Sequence, residues 1–327
     1  MTALPSLDGL TATSRAPHPD PAGTARQALA DAALDQGLDP TGAELLHDAR
    51  NWTFRLPNSG AVGKVHNRAT SHTEVLRQAR TADALLAANF PTAAPLGRIS
   101  EARGHLVSFT EDLGSKRPSE AQHGALIRRL HLLRPTGFDA TPVDWVARAF
   151  TRLSRLRPTA ISDTGRAGLH RFLTAAADAY RQARWPELCL THNDITLTNS
   201  VLTDNRGPAL LDLETLGLGN PGFDQAASAF ARDAFGKDPV LHKEWVDGYG
   251  YDIAEADPGR YELLVPVVGA SSCLFYLDWA DRTRPEARPE AELRLETLLE
   301  GRSFPWGWVP LNMAKKPEPA DTTRHAS

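Results

Sequence analysis

The chain has 327 residues, enough for roughly two domains or lobes. Lys+Arg 36 against Asp+Glu 40 leaves a formal net charge of -4, so the basic surface that nucleic-acid binding needs is not indicated. A 41% hydrophobic content supports a sizeable core, and two cysteines, Cys189 and Cys273, are too few for a disulfide framework and fit a reducing compartment.

The first twenty residues hold no apolar run of signal-peptide length. The longest weakly polar stretch, Leu263 to Leu277, falls short of the roughly 18 residues that span a bilayer and contains Pro266 and Gly269; it is predicted as a buried helix. Residues 1–22 and 314–327 are polar or Pro-rich and read as loose tails. These features point to a cytoplasmic globular enzyme or ligand binder without nucleic-acid, membrane or obligate protein partners.

In chain order, a helix is expected from Ala25 to Gln36, ended by Gly37. Trp52, Phe54 and Leu56 alternate on one strand, Pro57-Asn58-Ser59-Gly60 turns the chain, and Val62, Lys64 and His66 share one face of the return strand. A Lys in mid-strand is either an exposed edge residue or a functional one. Thr73 to Asn89 has helical periodicity, and Arg98–Ile99 and His105–Phe109 read as two further strands. The N-terminal part is thus predicted as strand, strand, helix, strand, strand, with a break at Gly114 and Pro118. Beyond it the spacing predicts helices over 120–133, 143–156, 166–184, 223–235, 241–249, 261–281 and 290–299, with a hairpin-like insert between Leu188 and Leu213.

That insert carries the chemistry. A short apolar strand delivers His192-Asn193-Asp194, a carboxamide follows at Asn199, and a second strand delivers Asp212-Leu213-Glu214. Adjacent strand ends would bring Asp194, Asn199 and Asp212 together. A few oxygen ligands of this type suit Mg²⁺ bridging phosphates, and Asp194 would then accept or orient the proton of an attacking hydroxyl. Singly, each residue has a plainer reading: Asp and Asn favour turns, and a lone His is usually structural. Glu214 is either a second metal ligand or a salt-bridge partner. Asp224, near a helix start, and His131 read as structural.

The spacing His192-x-Asp194…Asn199, then Asp212-x-Glu214, resembles the motif of the aminoglycoside phosphotransferase family, the antibiotic-kinase branch of the protein-kinase-like fold. Gly217-Leu-Gly219-Asn-Pro221-Gly-Phe-Asp224 and Leu130-His131 resemble further family elements. The likeness spans about residues 44 to 300. It implies an α+β, bilobal protein-kinase-like fold: a small antiparallel-sheet nucleotide lobe over 23–112 and a larger, mainly helical catalytic and substrate lobe over 113–313. It implies ATP or GTP with Mg²⁺ as cofactors and a small-molecule hydroxyl acceptor, such as an aminoglycoside. Asp194 would be the base, Asn199 and Asp212 the metal ligands, and His192 the brace of the catalytic loop. Lys64 would meet the nucleotide phosphates, Asn51 would lie before the first strand, and the backbone from Phe109 to Glu111 would be the hinge that meets the purine.

Three departures stand out. The family's helix Glu, partner of the strand Lys, falls on Gln78; either Glu74, one turn earlier on the same face, takes its place, or Lys64 is held differently. Asn193 replaces a Gly and Asn220 an Asp. The loop His47–Trp52 before the first strand has no glycine. The first and last motivate an alternative, a nucleotide-binding pseudokinase without turnover. A binuclear metallophosphatase would need further His and Asp clusters at ligand spacing, which the sequence lacks.

Overall fold

The computed structural model describes residues 22–48 and 51–310. The predicted tails lie almost wholly outside the described residues.

The N-terminal lobe is a five-stranded antiparallel sheet in the order β1-β2-β3-β5-β4, formed by β1 (Glu44–Asp48), β2 (Trp52–Leu56), β3 (Ala61–Val65), β4 (Pro95–Ala102) and β5 (His105–Glu111). Helix α1 (Ala22–Asp35) lays Ala25, Ala28, Leu29, Ala32 and Ala33 on one sheet face. The i, i+3, i+4 spacing makes one narrow stripe of small residues, so the helix comes close. Gly63 of β3 permits the approach, since a Cβ there would collide with Leu29 and Phe109. Trp52, Phe54 and Leu56 face this core. Lys64 therefore stands on the opposite face, its backbone paired with Thr53 and Ser108.

The sequence reading missed β1. It is exposed along its whole length and held by pairing with β2, so ELLHD shows no burial alternation to read. The supposed loop before the first strand is a correction: His47 and Asp48 end β1 opposite Thr53 and Trp52, and Asn51 lies between the first and second strands rather than before the first. Ala49 and Arg50 lie outside the described residues. Helix α2 (His72–Ala87) begins at a capping box in which Ser71 and Glu74 satisfy each other's backbone N–H.

The C-terminal lobe contains α3 (Glu120–His131), α4 (Trp145–Arg155), α5 (Asp163–Gln182), α6 (Pro221–Phe235), α7 (Pro239–Tyr249), α8 (Ile253–Ala256), α9 (Pro258–Arg282) and α10 (Arg288–Leu299). Helix α9 is its axis: Leu264, Val267, Ala270, Cys273, Leu274 and Leu277 are buried. Among the described residues it is the one helix long and apolar enough to cross a membrane (mean hydropathy 1.5), and 61% of that stretch is buried inside the protein, as in a core helix. Gly124 of α3 and Gly248 of α7 let those helices touch backbone to backbone. The predicted hairpin region resolves into two ladders: β6 (Cys189–Thr191) pairs with β9 (Gly217–Gly219), and β7 (Ser200–Thr203) with β8 (Gly207–Leu210). Burial pushes both thiols, Cys189 and Cys273, up to about 12, which leaves them unreactive.

Candidate active site

Strand β6 ends at Thr191, and the chain turns sharply through His192-Asn193-Asp194. The N–H groups of His192 and Asn193 both donate to Asp224 of α6, to Oδ2 and Oδ1 at 2.8 Å each. Burial would raise the Asp224 carboxyl, but the hydrogen bond and charge of His131, with help from His192, hold it below the ordinary 3.8. A chain of donors stands behind it. Gln225 donates to the Tyr249 hydroxyl (2.7 Å), that hydroxyl meets His131 Nδ1 (2.8 Å), and His131 Nε2 donates to Asp224 (3.0 Å). The two residues read as structural thus form the platform of the loop.

Asn193 has φ +66°, the left-handed region that Gly fills at no cost and Asn tolerates better than most residues. Its side chain then does what Gly cannot. Nδ2 donates to the carbonyls of Thr191 and Thr215, both at 3.0 Å, and Oδ1 accepts from the Trp145 indole at 2.9 Å. His192 donates from Nε2 to the Leu211 carbonyl at 2.9 Å, tying the loop to the segment that carries Asp212.

Asp194 opens to the cleft. Asn199 Nδ2 donates to its carbonyl (2.9 Å) and to its Oδ2 (3.0 Å). Desolvation pushes the Asp194 carboxyl above 3.8, reinforced by the charges of Asp212 and Glu214 and opposed by His192 and Asn199. Asp212 sits at φ +53°, just past β8, and the Leu211 N–H donates to the Asn199 carbonyl at 2.8 Å, so both sequence-expected metal residues lie at the root of one hairpin.

Lys64 crosses from the other lobe. Its Nζ donates to Asp212 Oδ1 at 2.8 Å and to Glu214 Oε2 at 3.1 Å, with the side chain 21% exposed. Desolvation works against its charge, but Asp212 and Glu214 prevail and raise its pKa. Asp212 is correspondingly lowered: burial would raise it, and Lys64 overcomes that. Asn51 completes the cluster, donating to Glu214 Oε2 at 3.1 Å and accepting the Asn67 N–H at 2.9 Å.

Glu74 is not part of it. Its carboxylate accepts from the Ser71 N–H (2.7 Å) and hydroxyl (2.9 Å) in the exposed first turn of α2, which corrects the expectation that it substitutes for the family's helix Glu. The carboxylate beside Lys64 comes instead from Glu214, the salt-bridge alternative of its two readings. No local pattern reveals this, because the partners are 150 residues apart. Arg77, on α2, also escaped the sequence reading: it donates to the carbonyls of Glu214 (2.7 Å) and Leu216 (3.1 Å), so the helix fixes the Glu214 segment from behind.

Phe109 has a buried side chain in the sheet core, and its backbone is paired with Gly63 of β3 on one side and Leu96 of β4 on the other, which corrects the expectation that the backbone there is open to a purine. The N–H groups of Glu111 and Asp112 donate to the carbonyls of Ala94 and Gly60, at 2.9 Å each. Two acidic residues near the C-terminal end of α9 are paired: Asp281 with Arg157 (2.6 Å) and Asp278 with Arg282 (2.5 Å).

The donor set fits a hard divalent cation held together with phosphates. A carboxylate at Asp212 and an amide at Asn199, whose Nδ2 is turned to Asp194, provide the few oxygens that Mg²⁺ takes from a protein when phosphates complete its shell. Among the described residues no group of three or more His, Cys, Asp or Glu is arranged to hold a metal by itself.

The family model described as the phosphotransferase enzyme family matches residues 41–264. Similar solved structures include an aminoglycoside phosphotransferase, APH(3'')-Id from Streptomyces rimosus: 18% identity, TM-score 0.54, covering 76% of this chain and 98% of that one. A microcompartment-associated aminopropanol kinase matches at 18% identity and TM-score 0.59, over 85% of this chain and 95% of that one. Spectinomycin phosphotransferase APH(9)-Ia, in complex with ADP and spectinomycin, matches at 13% identity and TM-score 0.55, over 85% and 98%. No curated protein matches in sequence. With well over half of its length matched by the family model, and with the bilobal fold these kinases share, the chain belongs to the phosphotransferase enzyme family.

Proposed function

We propose that this phosphotransferase is a small-molecule kinase that moves the γ-phosphoryl group of ATP or GTP, with Mg²⁺, to a hydroxyl of an aminoglycoside or another hydroxylated amine in the cytoplasm. The observation that carries the reading is the cross-lobe cluster: Lys64 on Asp212 at 2.8 Å, beside an Asp194 whose Oδ2 is held by Asn199 at 3.0 Å. Mg²⁺, when bound, would neutralise charge on the phosphates. Asn199 Oδ1 and Asp212 would hold it. Lys64 would meet the phosphate oxygens and stabilise the spreading charge of the transferring group. Asp194, fixed by Asn199, would orient the acceptor hydroxyl and take its proton. Closure of the lobes would exclude water from the phosphoryl group.

The similar structure in complex with ADP and spectinomycin supports nucleotide use and a small-molecule acceptor. The missing helix Glu and the glycine-free loop motivate the alternative, a module without turnover. Glu214 at Lys64 supplies another carboxylate and speaks against the first of these motives. The test is a thermal-shift screen of ATP, GTP and a panel of hydroxylated amines, followed by a phosphate-transfer assay on the hits. Transfer to one of them, abolished in Asp194→Ala with nucleotide binding retained, is the expected outcome. Nucleotide binding with no transfer to any acceptor, by wild type and variant alike, would establish the pseudokinase instead.

A further inference from the structure

Residues 112–119 link β5 to α3, and the β7–β8 hairpin lies along them. The Leu202 N–H donates to the Lys116 carbonyl at 2.7 Å. Arg117 Nη1 donates to the carbonyls of Thr198 (2.7 Å) and Ser200 (2.9 Å). At the hairpin tip, Arg206 donates both terminal nitrogens to Glu111, at 2.9 and 2.8 Å. Glu111 also accepts the Ala94 N–H at 2.8 Å, so its carboxylate fastens the end of β5 to the entry of β4 on one side and to the hairpin on the other.

The root of this hairpin holds Asn199, immediately before β7, and Asp212, shortly after β8. Four-residue strands separate root from tip by roughly 13 Å, comparable with the reach of a nucleoside triphosphate from base to terminal phosphates. One element therefore touches both ends of the proposed nucleotide site. A bidentate guanidinium–carboxylate pair fixes direction as well as distance. With Arg206 38% and Glu111 28% exposed, such a pair contributes little to global stability. Its geometry suits orientation.

We propose that Arg206 is a positioning residue for the nucleotide: by gripping Glu111 it locks the end of β5, beside which the family resemblance implies the base would lie, to the hairpin that carries Asn199 and Asp212, so that base seat and metal seat would form one body. This rests on the kinase reading above. Because Glu111 belongs to the N-terminal sheet and Arg206 to the C-terminal lobe, lobe motion would then bend around this joint and leave the distance between the two seats unchanged.

The test uses the full chain with Arg206→Ala and Arg206→Lys. In the nucleotide-free protein, hydrogen exchange at the Glu111 and Asp112 amides should speed up in Arg206→Ala, with the thermal midpoint little changed. The dissociation constant for ATP or GTP should rise roughly three- to thirtyfold, and Arg206→Lys, which keeps the charge but loses the fork, should fall between. Inorganic tripolyphosphate, which has no base, should lose less affinity than the nucleotide. Unchanged exchange at 111–112, wild-type nucleotide affinity in Arg206→Ala, or an equal loss for tripolyphosphate and nucleotide each overturns the proposal. If the wild type binds neither ATP nor GTP, the kinase reading falls first and takes this one with it.

Discussion

In the loop His192–Asp194 two backbone N–H groups end on one buried carboxylate of the same lobe, Asp224, and His131, Tyr249 and Gln225 stand behind it in turn. The Lys64 ammonium, by contrast, ends on two carboxylates from across the cleft and on none from the helix of its own lobe. The first half of the site is therefore built before the lobes meet. The second half exists only while they meet. A buried hydrogen-bonded network fixes geometry strongly in a low dielectric, whereas a partly buried ion pair that spans two lobes is broken when they part. On the proposed kinase reading, this suits a lysine that exchanges a carboxylate for an incoming phosphate.

The comparison can be broken at either half. Asp194→Ala removes the group that the preformed half exists to present. Phosphate transfer should fall by about 10²–10⁴-fold, with nucleotide affinity close to wild type in a direct binding titration. Asp224→Ala should unfold the preformed half instead. Two N–H groups and His131 lose their acceptor, at a cost of about 3–5 kcal/mol, read by urea denaturation. The same group sets an acid limit. Its native pKa lies below the ordinary 3.8, so its stabilisation is fully present above that value and is lost as pH falls through it toward the native one.

A second buried group sharpens the point. His123 of α3 is 2% exposed, and neither ring nitrogen has a hydrogen-bond partner among the described residues. Burial first, then the nearby charges of His192 and Lys237, push it from 6.5 down to about 4, against a small opposing effect of Asp224. Between those values the unfolded chain binds the proton and the native chain does not, so stability should decline as pH falls from 6.5, by at most about 3 kcal/mol. His123→Leu should flatten the dependence of the melting temperature on pH in that window. An unchanged slope would assign it to other groups.

The lysine half gives the smaller effects. Glu214→Gln should weaken nucleotide binding about tenfold, about 1.4 kcal/mol, because Lys64 then keeps only Asp212. Glu74→Ala should leave that affinity alone and cost only about 1 kcal/mol of stability through its lost helix cap. The opposite ranking, with Glu74 controlling nucleotide affinity, would restore the helix carboxylate and remove the contrast between the lobes.

The legible parts of the sequence were those whose signal is local. Strand alternation around Trp52 to Val65 put Lys64 on the face opposite the core, and the periodicity of 73–89 matched α2 within two residues. The spacing of Asp194, Asn199 and Asp212 marked the loop and hairpin whose ends converge. The illegible parts were β1, with no buried face, and every pairing across the chain. Asp224 looked like a helix-start acid, and only its burial under two loop N–H groups shows what it holds. Arg206 carries no local sign of its partner, and only the fold brings it to Glu111, 95 residues away.

By itself, then, the sequence determined which chemical groups are available, on which elements they ride, and the family to which their spacing belongs, because residue type, period and local turn chemistry are properties of short stretches. The tertiary structure alone decided who partners whom: Glu214 rather than Glu74 at Lys64, Asp224 beneath the loop, Arg206 at Glu111. The physical reason is that charge pairing and the satisfaction of buried donors depend on distances between segments far apart in the chain. Those distances are set only when the two lobes have packed.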